Sequence, residues 1–199
     1  MNYETHMVLM REKIARLFSV ILLLLVNTNL NAGKVGPVIY AAYVDEIVRT
    51  FAMEMRYNFG LLWIGNGGSM PDDVEKVEVV FHARRKASIE EARELEIRAT
   101  ERLVEMINKH EKIRPFLREY LFTANRVCVR ISFVKRNHTS YTDGSVAFVF
   151  QARNKIFYCK EDAKTGELID LLTEPYEEAL KKVQQSPSLK NLSPRSELF

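Results

Sequence analysis

Hydrophobic residues recur along this chain at two periods, and the switches between them mark the elements. Residues 37 to 59, PVIYAAYVDEIVRTFAMEMRYNF, keep the helical period. Tyr40, Val44, Ile47, Phe51 and Met55 fall on one stripe with Tyr43 and Val48 beside it, while Asp45, Glu46, Arg49 and Arg56 fall mostly elsewhere. Pro37 suits the first turn, where its missing N–H is no loss, and Gly60 suits the stop. EKVEVVFHAR, residues 75 to 84, alternates instead. Val77, Val79 and Phe81 point one way and Glu78, Val80 and His82 the other, which predicts a strand with one drier face. Residues 88 to 110 return to the helical period through Ile89, Ala92, Leu95, Ala99, Leu103 and Met106, and Ser88 with Glu91 has capping-box spacing.

Beyond that helix, IRPFLREYLF (113 to 122) predicts a short helix after Pro115. RVCVRISFVK (126 to 135) is a strand with Val127, Val129, Ile131 and Phe133 inward. SVAFVFQ and KIFYCKE, joined by ARN, form a hairpin by spacing, ELIDLLTE is a weaker further strand, and residues 174 to 185 are a helix. Consecutive strands with short links predict antiparallel pairing, and amphipathic helices need a surface to cover. The expectation is an α+β fold: an antiparallel meander sheet of four to five strands with amphipathic helices packed on one face. It occupies residues 33 to 185, with a secretory signal segment at 1 to 32 and a polar flexible tail at 186 to 199.

The N-terminus sets the expected location. Arg11, Lys13 and Arg16 precede the apolar run LFSVILLLLV, and NTNLNAG follows, with Leu30 and Ala32 suited to a cut before Gly33. A membrane span needs about 20 apolar residues, so this run predicts export to the periplasm or outside the cell. Membrane attachment is expected only if residues 17 to 26 stay uncleaved. The net charge of +3 arises from 29 basic and 26 acidic residues, too even a balance to imply nucleic acid.

The stretch GLLWIGNGGSMPDD, residues 60 to 73, lacks the lysine of a phosphate loop, and Met70 stands where a dinucleotide loop has its third glycine. The pattern predicts a sharp connection whose glycines supply positive φ, with the apolar run Leu61 to Ile64 assigned to the core. The other reading is an exposed binding loop built on Trp63. His82, Arg84, Arg126 and Arg130 share the wetter strand face by parity, giving either a basic patch for an anionic ligand or protein partner, or ordinary exposed charge paired with residues such as Glu78. No HExxH or CxxC spacing occurs, so no metal or other cofactor is expected. A His82–Cys128 nucleophilic pair would need neighbouring strands, and no local signature supports it. Cys128 and Cys159 fall on strands with a third strand between them, placing their Cα atoms near 10 Å apart, beyond the 7 Å or so a disulfide spans.

The phrases GNGGSMPDDV, IEEARELEIRATERLVEMIN and IRPFLREYLFTANRV together resemble small exported bacterial proteins of unassigned activity, over most of residues 37 to 184. That resemblance implies a bacterial envelope or secreted location and carries no catalytic residues. The reading is a non-catalytic binding or interaction module of the envelope, with a small secreted or periplasmic hydrolase as the alternative. The sequence leaves open whether the protein is an enzyme.

Overall fold

The computed structural model describes residues 37–186, which form one unit around one core. The expected signal segment lies outside the described residues, as does the tail beyond Ser186. The order is α1 (Pro37–Phe59), β1 (Leu61–Ser69), β2 (Lys76–Ala83), α2 (Ile89–Lys109), β3 (Val127–Phe133), β4 (Phe148–Ala152), β5 (Lys155–Glu161), β6 (Leu168–Pro175) and α3 (Tyr176–Gln185). Short 3-10 turns at Arg114–Phe116 and Ala124–Arg126 punctuate the link from α2 to β3.

The fold is α+β, but its sheet differs from the expectation in two ways. It has six strands in the order β1-β2-β3-β4-β5-β6, and β2 pairs with β3 in parallel while every other neighbouring pair is antiparallel. The cause of the parallel pair is α2. A helix between β2 and β3 carries the chain back to the end where β2 began, so β3 must run the same way. The additional strand is β1, built from the stretch expected to be a connection.

Three helices share one face of this sheet. Their buried stripes join strand residues of a single parity, among them Val77, Val79, Phe81, Val129, Ile131, Val149 and Tyr158. The predicted stripe of α1 is buried throughout, and Phe51 meets Phe81 edge-on with ring centroids 5.7 Å apart. Ser88 caps α2 by accepting the Glu91 N–H at 3.2 Å. The Glu91 carboxylate does not complete the reciprocal bond of a capping box; it accepts from Arg85 Nε at 2.7 Å. Among the described residues, no helix is long and apolar enough to cross a membrane.

Two places in the backbone show conformational demand directly. Gly68 has φ of +151°, and a Cβ there would lie 2.0 Å from the Lys76 carbonyl oxygen, so β1 can approach β2 here only with glycine. The β4–β5 hairpin turns on Arg153 and Asn154 at φ of 50° and 61°, the paired positive values of a type I′ turn.

Candidate functional site

The helices leave the other face of the sheet uncovered among the described residues. Register fixes what it displays. Val80, Arg130, Phe150, Phe157 and Thr173 form one cross-strand row, and Leu62, His82, Ser132, Phe148, Cys159 and Asp170 form the next. Phe150 and Phe157 stack at 5.0 Å between ring centroids and 11° between planes, and Phe148 adjoins Phe150 at 5.3 Å. All three rings are half-buried, so together they form an aromatic plate that still meets solvent.

The edges of the sheet extend this apolar character while discouraging strand addition. Register slips between Trp63 and Gly65, so Ile64 is the extra residue of a bulge on β1. It slips again between Tyr158 and Cys159, leaving Leu171 extra on β6. Trp63 is 41% exposed and Ile64 54% exposed, and Leu168, Ile169 and Leu171 line the opposite edge. A bulged edge offers an interrupted ladder to an incoming strand, so contact here falls to side chains. The run Leu61 to Ile64 is therefore divided: Leu61 is fully buried as expected, whereas Trp63 and Ile64 project outward.

The predicted basic patch is dispersed. Had β2 and β3 paired antiparallel, Arg84 would have stood beside Arg126. In the parallel register Ala83 meets Phe133 and Val77 meets Val127, so Arg84 and Arg126 lie at opposite ends, about 25 Å apart along the strands. Arg126 donates to Glu119 at 2.5 Å, and Arg130 Nε lies 3.0 Å from Glu78, so both are paired charges. His82 and Arg84 instead gather around His138. The two imidazole centroids are 6.0 Å apart, and Arg84 Nη2 lies 3.3 Å from His138 Nε2. Burial, then the fields of His138 and Arg84, holds the His82 pKa below its ordinary value.

The same register separates His82 from Cys128. His82 aligns with Ser132, four residues beyond Cys128 on β3, which is about 13 Å. No His82–Cys128 nucleophilic pair forms. Both cysteines are free and buried, with β4 between their strands and Phe148 opposite Cys159. Burial raises the pKa of the Cys128 thiol, and burial with the Asp170 hydrogen bond raises that of Cys159 to about 11, so neither is an activated nucleophile.

Beneath β4 to β6, on the helical side, the core turns polar. Glu174 accepts from Arg93 at 2.6 Å, Tyr158 at 2.7 Å and Lys182 at 2.5 Å. Burial opposes its charge, yet these partners outweigh it and lower its pKa. Glu96 is different. It is fully buried on α2, neither carboxyl oxygen makes a side-chain partner, and burial pushes its pKa well up, with only the Gln151 backbone amide opposing. Thr100 Oγ1 and Gln151 Oε1 are also buried and unpartnered. A hollow of about 340 Å³ lies in the helical layer between Ile47 on α1 and Met106 on α2, away from the sheet face. Among the described residues, no group of three or more His, Cys, Asp or Glu is placed to hold a metal ion.

No protein-family profile matches the chain, and neither a curated protein nor a solved structure matches it. The fold and surfaces define an α+β protein with a mixed sheet, helical on one side and open on the other.

Proposed function

We propose that this protein is an exported, non-catalytic binding module whose contact surface is the open sheet face, centred on Phe148, Phe150 and Phe157; Trp63, paired with Phe81, belongs to the helical side of the β1 edge and lies outside it. The observation that carries this reading is the aromatic plate left uncovered by all three helices. Aromatic side chains supply large contact area at low conformational cost and dominate protein interfaces. A sheet face is flat, whereas small ligands are held in concave sites, so the partner is a protein presenting apolar side chains. Export rests on the basic head and apolar run at residues 11 to 26.

Site-specific photocrosslinking in living cells of the source tests the surface. A crosslinking residue at Phe150 or Phe157 is expected to give a discrete adduct with one protein, and the same residue at Met53, exposed on α1, is expected to give none. Equal labelling from all three positions, or none from the two phenylalanine positions, overturns the assignment. N-terminal sequencing of the mature protein tests export separately: a chain beginning near Gly33 is expected, and an intact 17–26 run refutes cleavage.

A further inference from the structure

The parallel pairing of β2 and β3 has a second consequence, independent of the open-face reading. Both strands deliver their following loops to the same end of the sheet, and the Val134 N–H donates to the Ala83 carbonyl at 2.9 Å, locking the two exits side by side. The first loop reads Arg84-Arg85-Lys86 and the second Lys135-Arg136-Asn137-His138. Arg85 is committed to the fold, donating to Glu91 and to the Phe59 carbonyl. The remaining cations are exposed. Lys86 and Lys135 stand over the Tyr141 ring at 5.4 Å and 5.7 Å from its centroid, and Arg84 reaches His138. Arg136 sits in the turn closed by the His138 N–H donating to the Lys135 carbonyl at 3.0 Å.

Counter-charge is scarce here. Among the described residues, the ion pair made by Arg84, Lys86, Lys135 or Arg136 is that of Lys86 with Asp143, which also accepts from the Ser145 hydroxyl at 2.7 Å. Elsewhere the pattern is opposite: Arg93, Arg102, Arg118, Arg126 and Arg130 each lie against a glutamate or aspartate. Like charges concentrated on two adjoining loops repel one another, and a multivalent anion removes that repulsion. The ends of adjacent parallel strands are also where α/β sheets gather ligand-binding loops.

We propose that the loops following β2 and β3 form a binding site for a phosphate-class oxyanion, with the guanidinium groups of Arg84 and Arg136 donating paired hydrogen bonds and Lys86 and Lys135 supplying charge. The fork of an arginine matches two phosphate oxygens, and Tyr141 limits the positions its two lysines can take. The shared chemistry is a phosphate mono- or diester, whether on a soluble molecule or a lipid headgroup.

The test uses the purified protein, backbone-amide NMR and three probes: inorganic phosphate, pyrophosphate and vesicles containing phosphatidylglycerol, with phosphatidylcholine vesicles as the control. Saturable shifts confined to residues 84–86 and 135–139 are expected, stronger with pyrophosphate than with phosphate if the ligand is soluble, and seen with anionic vesicles alone if it is a headgroup. The double substitution Arg84→Ala with Arg136→Ala is expected to weaken the responding probe by at least about tenfold, since hydrogen bonds between charged groups are the strong ones. Should that variant melt early, Arg84→Lys with Arg136→Lys keeps the charge and is expected to weaken binding several-fold through loss of the fork. The proposal is overturned if no probe gives saturable shifts at these loops, or if a folded double-alanine variant binds as tightly as the parent.

Discussion

On the helical side of β3 to β5, Val129, Ile131, Val149, Ile156 and Tyr158 are buried; one residue away along the same strands, Arg130, Phe148, Phe150 and Phe157 are half-buried with no described helix over them. Both faces are rich in apolar side chains, yet only one is sealed. What separates them is cover, supplied by α1, α2 and α3, and not composition. The buried face explains why the chain folds. The open face keeps apolar area that folding alone does not use, and this is the property a contact surface needs.

The comparison breaks most visibly at Phe81. It is fully buried against Phe51, so Phe81→Ala is expected to destabilise by about 3 to 5 kcal/mol, the usual loss for a large buried ring. Urea unfolding measures it. A change below about 1 kcal/mol would mean that the helices do not seal this face as described.

Glu96 gives a smaller, pH-dependent effect inside the sealed half. Its folded pKa is raised by burial, so the folded state holds a proton that the unfolded chain has released. Its contribution to stability is therefore complete below the ordinary carboxylate range and is lost as pH rises toward the raised folded value. Glu174, with its lowered pKa, acts in the opposite sense and loses stability only as pH falls through the folded value. Glu96→Gln keeps the shape and removes the proton, so its melting temperature is expected to fall less than the parent's between mildly acidic and alkaline buffer. Parallel pH profiles for the two proteins would show that Glu96 is not held neutral.

Much of the sealed face was legible in the sequence, because burial on one face imposes a period. The stripe of α1, the alternation of β2 and β3, and the Ser88 cap are all where spacing places them. β1 was missed because its glycines suggest a turn and its apolar residues do not alternate; a bulge at Ile64 breaks the period that would have revealed it. The parallel pair was missed because alternation is the same in either direction, and direction depends on what the intervening helix does. That error moved Arg126 away from Arg84 and undid the predicted patch. The aromatic plate did leave a signal: FVF at 148 to 150 and IFY at 156 to 158 are apolar at both parities, which marks a strand with two apolar faces.

The cap at Ser88 belongs with the sealed side and carries a modest effect. Ser88→Ala removes the acceptor of the Glu91 N–H and is expected to cost about 1 kcal/mol in urea unfolding. Glycine is itself well tolerated at an N-cap, so Ser88→Gly should cost only a few tenths of a kcal/mol. Equal losses for the two substitutions would indicate that contacts of the loop, rather than the cap, are being removed.

A stability change well below that of Phe81→Ala is expected where the two faces differ most in purpose. Phe150 lies in the middle of the plate, between Phe148 and the stacked Phe157, yet its ring retains solvent contact in the free protein. Phe150→Ser gives up the stack on Phe157, the tilted contact with Phe148 and some partial burial, and each aromatic pair of this kind is worth about 0.5 to 1.5 kcal/mol. Against that modest loss it places a hydroxyl at the centre of the contact area, where a partner would have to desolvate it. If the open face is a docking surface, the Phe150→Ser chain should melt within a few degrees of the parent while its crosslink from Phe157 disappears. If the plate is instead a second core, folding and crosslinking should fail together, and the drop in stability should approach that of Phe81→Ala. Measuring both substitutions in one urea series places the two faces on a common scale, and a ratio near one would abolish the distinction on which the proposed function stands.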